Sequence, residues 1–569
     1  VVFTVFVLVN ISWFQDVKPV MLDRAPGESF LNPMDLSKLR DFNLFALFVT
    51  LMGSVLNRAA FIGNDTNASG RNAHEQKMAG ILGTWRNGFS WTMLTLISIF
   101  VIVYMLGSRF AEPAHRIRIK LADKVAEEVL ERPETREKIS ASLAQLPVAR
   151  HVIGVDEPYS RTKNPDTPFL QTAKVHILED HTETGNALYQ KFLSLYNQMM
   201  MPVLLGSLFS PLLMGLFTLL MVMLLISTDD SRIFNASSTI VQDLILPLKK
   251  TAPPIETHLK ILKKWTVLVT LFFFMVSLFF SQLDYINMFT TIMTSLWLGG
   301  AGPIMIGGLY TRWGTTTGAW CAMGIGSSIP LTGLLLQRNW ADIVYPWLDK
   351  HSYVIPVGIF LERVSRPFNP YVVWTMNAVK FPITSIEIYF MAMVLGIMAY
   401  VVGSLLTLKE PFNLDRMLHR GVYSDEQTPP PPKIGFSFRN IVRKIAGIDR
   451  EYTRGDRVIA WLVVCWSLGY NFGVLFLGSL VWNIFAPWPA DRWGIYFFIT
   501  TIAGALVMGS VSTVWFLIGG IRDTRDLLRS LAARVANPLD NGRVEGHVSI
   551  VDRAHFDEIE QQLHKKHED

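Results

Sequence analysis

An all-α, polytopic membrane protein is the fold class that this sequence predicts, on three observations. Half of the 569 residues are hydrophobic and 17% are charged, where a soluble domain carries about a quarter charged. The apolar residues gather in blocks long enough to cross a bilayer, which takes about 20 residues per helix. Basic residues collect in every second connection between blocks, the asymmetry that orients membrane helices. The net charge of +5 could suggest nucleic acid, but the cations sit beside apolar blocks. The implied partner is the lipid bilayer, and no nucleic acid is expected.

Taken in order, the apolar blocks fall at about 1–14, 42–63, 88–110, 202–246, 265–282, 287–311, 314–336, 382–407, 458–485 and 493–519. This predicts nine complete spans and one partial. The first block opens Val1-Val2-Phe3 without Met, a basic start or a small-residue cleavage site, so it reads as the back half of a helix and the chain as amino-terminally truncated. Leu248–Lys264 carries five lysines against Glu256, Arg312 sits in a short link, and Thr407–Arg457 holds ten basic residues. These connections, with Arg522, Arg525 and Arg529, are expected on the cytoplasmic side, the C-terminus included. The Trp-rich stretch 337–380 is expected outside, lying at the interface.

The chain thus divides into a first set of transmembrane helices, 1–311, with an extracellular insertion at 111–200; further transmembrane helices, 312–519, with a cytoplasmic loop at 408–457; and a charged amphipathic tail, 520–569. Within the insertion, Ile117, Leu121, Val125 and Val129 recur at helical spacing until Pro133 interrupts it. Cys321 and Cys465 both lie in apolar runs, far apart, and read as buried small hydrophobes.

The chemistry concentrates in Ser227-Thr228-Asp229-Asp230-Ser231, within an apolar run. A charge inside a membrane helix costs about 2.5–3.5 kcal/mol on insertion scales and needs a compensating role. Hard cations supply one, because they take shells of oxygen ligands. Adjacent hydroxyls at Ser227 and Thr228 form half of a sodium site if a second, broken helix supplies carbonyls. The alternative is that both hydroxyls bond back to carbonyls one turn earlier. His176, Glu179, Asp180 and His181 have the composition of a metal cluster, but lack paired spacing on a helix and read as solvated surface. No nucleophile elbow, phosphate loop or paired-cysteine spacing points to an enzyme.

Leu225–Pro247, LISTDDSRIFNASSTIVQDLILP, resembles the signature helix of the sodium:solute symporter family. Asn57-Arg58, Asn72-Ala73-His74-Glu75 and Trp85-Arg86 resemble the sixth-to-seventh core-helix link of one bacterial branch of that family, and Gly299-Gly300-Ala301-Gly302-Pro303 with Arg312-Trp313 and Gly318-Ala319 resembles its later link. The resemblance implies a LeuT-type inverted-repeat core with its first helices missing and extra helices after it. It implies sodium as the coupling ion, with no organic cofactor, held by the Leu224 carbonyl and the side chains of Ser227 and Thr228. Asp230 stands where some branches ligate a second cation, although pairing with Arg232 is the plainer role. Asp284-Tyr285-Ile286-Asn287 is similar to a sugar-binding stretch, but Phe45, Phe48 and Val49 replace polar residues and argue against a hexose. Phe45, Phe48, Met52 and Asn287 are the substrate candidates. The function implied is sodium-coupled import of a small polar organic solute across the plasma membrane, of bacterial inner-membrane type. A transporter-like solute sensor is the alternative.

Overall fold

A computed structural model describes residues 2–60, 73–86, 88–181, 184–249, 253–279, 286–418, 421–423, 447–448, 452–533, 544–545 and 548–568. The sequons at 64–69, the prolines at 429–432 and the Asp284-Tyr285 pair lie outside the described residues. The fold is all-α apart from a short pairing of Val544–Glu545 with Val548–Ser549.

Helix α1 (Val2–Asn10) is followed by a polar strap, residues 23–43, and α2 (Leu44–Ala60). Asn43 opens α2: its Oδ1 accepts from the Ala46 amide at 2.9 Å, which satisfies one of the first-turn donors. Then come α3 (Ala73–Arg86) and α4 (Gly88–Leu106). Beyond α4 the chain bends by 71° at Gly107. It enters four helices, α5 (Ala111–Val129), α6 (Pro133–Ala144), α7 (Thr167–Asp180) and α8 (Gly185–Leu208). Pro133 sits in the first turn of α6, where its missing N–H costs nothing. The predicted spacing is realised: Ile117, Leu121 and Val125 are buried and Val129 packs beside them. The insertion is therefore a packed layer, and its buried Ile139, Leu143, Phe192 and Tyr196 belong to a core that runs on into α1 and α4 through Val7, Leu96 and Phe100.

The expected single span 202–246 is interrupted. Helix α8 ends at Leu208, and Ser210 caps α9 (Pro211–Thr239) by accepting from the Leu213 amide. A serine followed by proline is a helix start even inside an apolar run. The helical path then continues through a π-turn to Leu248. Helix α10 (Ile255–Phe279) starts earlier than expected, so Lys260, Lys263 and Lys264 ride on its first turns. Lysine is a good helix former, and basic composition alone had suggested a loop.

The remaining α-helices of eight residues or more are α11 (Ile286–Tyr310), α12 (Thr316–Arg338), α13 (Val354–Ser365), α14 (Ser385–Thr407), α15 (Arg454–Val464), α16 (Ala490–Phe497), α17 (Gly504–Ala533) and α18 (Ile550–Glu568). Helix α17 runs through the expected boundary at 520, so Arg522, Arg525 and Arg529 extend a membrane helix rather than begin a separate one. Cys321 is half-buried and Cys465 is exposed, which corrects the expectation for the second. In the stretch expected at the interface, Trp347 is exposed, whereas Trp340 is buried and donates Nε1 to the Asn377 carbonyl at 2.8 Å.

Among the described residues, six helices are long and apolar enough to cross a membrane, or seven with the bent α4–α5 pair as one span. Three groups form. Helices α2, α11, α12 and α14 make a bundle; α1, α4 and α17 gather near the insertion; α9 and α10 make a hairpin. The bundle closes on glycine. A Cβ on Gly326 would lie 2.4 Å from the Gly299 carbonyl carbon, and one on Gly396 would lie 2.1 Å from the Gly299 oxygen. Three helices thus meet backbone to backbone, the arrangement by which membrane helices gain packing where hydrophobic burial gives no drive.

Polar contacts between distant connections sort by predicted side. Lys18 meets Asp491 at 2.5 Å, Arg40 meets Glu387 at 2.8 Å, His151 meets Asp23, and the Arg161 amide donates to Glu28 at 2.6 Å. All join segments expected outside. His74–Asp456, Arg312–Asp415 and Arg416–Glu560, at 3.2, 2.8 and 3.3 Å, join segments expected inside.

Candidate functional site

The predicted hydroxyl pair lies midway along α9, on its exposed surface. Leu224 and Leu225 are 49% and 60% exposed, and Ser227, Thr228 and Asp230 are exposed as well. Helical spacing puts residue 224 on the face of 227 and 228. Thr228 Oγ1 donates to the Leu224 carbonyl at 2.6 Å. That is the back-bond anticipated for a hydroxyl in a membrane helix, and it brings two of the three predicted oxygens together. Two oxygens this far apart can both touch a cation with ligand distances of about 2.3–2.6 Å, the range of a calcium-sized ion.

Around the pair, Arg232 lies 3.9 Å from Asp229. The guanidinium thus meets the first aspartate of the doublet, whereas Asp230 was the expected partner. Two turns on, Ser237 and Ser238 are buried, and Ser237 donates to the Ile233 carbonyl at 2.6 Å. Gln242 approaches His258 of α10 at 3.5 Å, closing the foot of the hairpin.

The substrate candidates sit elsewhere. Phe45 meets Phe390 edge-on at 5.2 Å, and Met52 packs in the same cluster with Val49, Leu56 and Met393. This is the seam between α2 and α14, in a different helix group from α9. Phe48 points away from the seam and is 56% exposed. Asn287 is in the first turn of α11, and its side chain lies outside the described residues.

The polar clusters of the insertion are structural. Asp180 accepts from Lys138 Nζ and Thr135 Oγ1, both at 2.8 Å, and these bonds, the lysine's first, hold its carboxyl below the usual range. His176 meets Ser142 at 2.9 Å. No group of His, Cys, Asp and Glu suited to a metal occurs among the described residues. The sequence reading passed over Glu387. Only 4% exposed, it binds Arg40, accepts from Trp374 Nε1 at 2.9 Å and forms a capping box with Thr384. Thr384-x-x-Glu387 before an apolar run is the signal that could have found it.

Against known proteins, the family model described as Sodium:solute symporter family matches residues 193–326. The matched stretch contains all of α9, with Leu224, Ser227, Thr228 and Asp230. No curated protein matches the chain.

Proposed function

We propose that the chain, whose residues 193–326 match the sodium:solute symporter family model, is a symporter that imports a small polar organic solute by alternating access. Sodium is the coupling ion. Its ligands on this chain are the side-chain oxygens of Ser227 and Thr228 and the carbonyl oxygen of Leu224. The observation that carries this reading is the family match over α9, the helix on which Thr228 Oγ1 and the Leu224 oxygen already lie 2.6 Å apart. On ion binding the threonine proton turns away and frees both oxygens, while a second helix laid against the exposed face completes the shell. Asp230 is the candidate for a second cation. Phe45, Phe48, Met52 and Asn287 remain the substrate candidates, with Phe45 and Met52 acting through the α2–α14 seam.

The energetics suit uptake. One charge falling through 100 mV releases about 2.3 kcal/mol, enough for about fortyfold accumulation before any sodium gradient is counted. The reading places the protein in the plasma membrane with its tail in the cytoplasm. Saturable 22Na+ binding to the full-length protein tests it: Ser227→Ala combined with Thr228→Ala should abolish binding, and unchanged binding would refute the ligand assignment.

A further inference from the structure

We propose that α13 is a membrane anchor, a helix lying flat at the outer rim of the bilayer with Ile355, Ile359 and Phe360 sunk among headgroups and upper acyl chains. The inference rests on the membrane fold and is independent of the symport reading. From Val354 to Leu361 this helix has no polar side chain. Positions 355 and 359 share one face with 360 beside them, and Ile355, Ile359 and Phe360 are 73%, 55% and 63% exposed. A helix turned to water carries polar residues on its outer side. The 12 residues of α13 make about 18 Å at the helical rise, too short for a hydrocarbon core of about 30 Å. An apolar face on a helix that does not span is covered when the helix lies in the plane of the bilayer surface, about 5–10 Å deep.

Hydrogen bonds set the height of this helix. The Trp374 amide donates at 3.2 Å to Ser365 Oγ, at the end of α13, and the Trp374 indole donates at 2.9 Å to Glu387, in the first turn of α14. One residue thus ties the end of α13 to the end of a candidate span. The inner face of α13 packs on the same segment, where a Cβ on Gly358 would lie 3.0 Å from Met376 Cγ. Continuity with the spans names lipid as the occupant. Exposed apolar side chains continue along the chain from Leu335, near the end of α12, through Ile343 and Trp347 to Tyr353 and α13. The apolar surface that a span turns to lipid therefore extends past the end of the span. Trp347 and Tyr353 stack with centroids 5.9 Å apart, and both are residue types of the headgroup level. Within α13, charge is confined to Glu362 and Arg363 in its last turn. An arginine stem lies along apolar surface while its head stays among polar groups.

The test is spin-label accessibility for the full chain in phosphatidylcholine nanodiscs, carrying Cys321→Ala and Cys465→Ala and one new cysteine at a time. The reference is a label at Val155→Cys, an exposed apolar position of the insertion. Labels at Ile355→Cys and Ile359→Cys should show a ratio of oxygen to water-soluble nickel-chelate collisions about threefold above that reference, because oxygen concentrates in lipid and the chelate does not. A ratio equal to the reference would leave the helix in water, and exclusion of both reagents would mean a protein cover; either result overturns the proposal. A second readout keeps the native cysteines and puts p-benzoylphenylalanine in place of Phe360. Irradiation should give lipid adducts at that position, and a cross-linked dimer would overturn the proposal in favour of a second copy of the chain.

Discussion

The glycine-closed bundle of α2, α11, α12 and α14 and the α9–α10 hairpin are built on opposite terms. In the bundle, three backbones touch at Gly299, Gly326 and Gly396, and 22% and 33% of the most apolar stretches of α12 and α14 are buried. In the hairpin, the window of highest apolarity in α9 has none of its residues buried. Yet the hairpin carries the hydroxyl pair, and the family match runs across it. The comparison teaches that the proposed ion ligands sit on the helix whose apolar stretch is the least buried of the spans. In the proposed alternating-access cycle, a helix that parts from and rejoins a partner cannot also be locked into a permanent core.

The strongest way to break this comparison is at the glycine junction. Gly326→Leu drives a side chain into the Gly299 backbone and should cost about 3 kcal/mol or more, seen as loss of the monodisperse peak in detergent chromatography. A Gly326→Leu protein with native melting would show that the bundle is looser than described. Next comes Glu387→Ala, which strands Arg40, uncaps α14 and removes the Trp374 bond. Breaking a buried pair from one side costs about 3–5 kcal/mol; Arg40 keeps some solvent, so the thermal shift should fall at the lower end. Glu387→Gln retains the indole and cap bonds and should cost less.

The insertion offers an alkaline test. Burial, opposed by the Arg118 charge and helped by nearby carboxylates, pushes the Tyr159 hydroxyl up to about 12, and Tyr196 is raised well above its usual value. A raised folded pKa favours the protonated, folded state. This contribution is complete below pH 10, the ordinary tyrosine value, and is lost as pH climbs through about 12. Tyrosinate absorbance should therefore show a late-titrating group of phenols, and the Tyr159→Phe and Tyr196→Phe proteins should each show one fewer in it. The smallest effect sharpens the contrast. Ser227→Ala and Thr228→Ala lie on an exposed face and should each change stability by no more than about 0.5 kcal/mol, measured by thermal melting. A larger loss would mean that the hydroxyls serve packing.

Much of the architecture was legible in the sequence, because spans are long apolar blocks and basic connections alternate. The contacts between connections follow that alternation at Lys18–Asp491 and His74–Asp456 alike. Where the reading slipped, local chemistry overrode composition. Ser210-Pro211 starts a helix inside an apolar block, and lysines extend α10 downward into a stretch whose charge suggested a loop. The insertion's mixed charge hid a core, since Arg118 is buried with its Nε on Asp166 at 2.7 Å and the Tyr196 hydroxyl on the same carboxylate at 3.2 Å. Such a triad leaves no periodic trace in sequence. The hydroxyl pair was visible as an anomaly of polarity in α9. The seam that takes in Phe45 and Met52 was not, because an aromatic residue facing a neighbouring helix and one facing a solute read alike.

The strap ahead of α2 has a mechanical consequence. Arg40 grips the carboxyl that caps α14 and also the Pro382 carbonyl, while the fully buried Asn43 holds the Tyr371 carbonyl at 2.7 Å. Both anchors fall within four residues of the first residue of α2. That end of the helix is pinned to its neighbour as two spokes are pinned to one hub, so neither rod can swing at that rim without dragging the other. Any rocking of α2 has to pivot there, and the travel it produces grows toward the opposite face of the membrane.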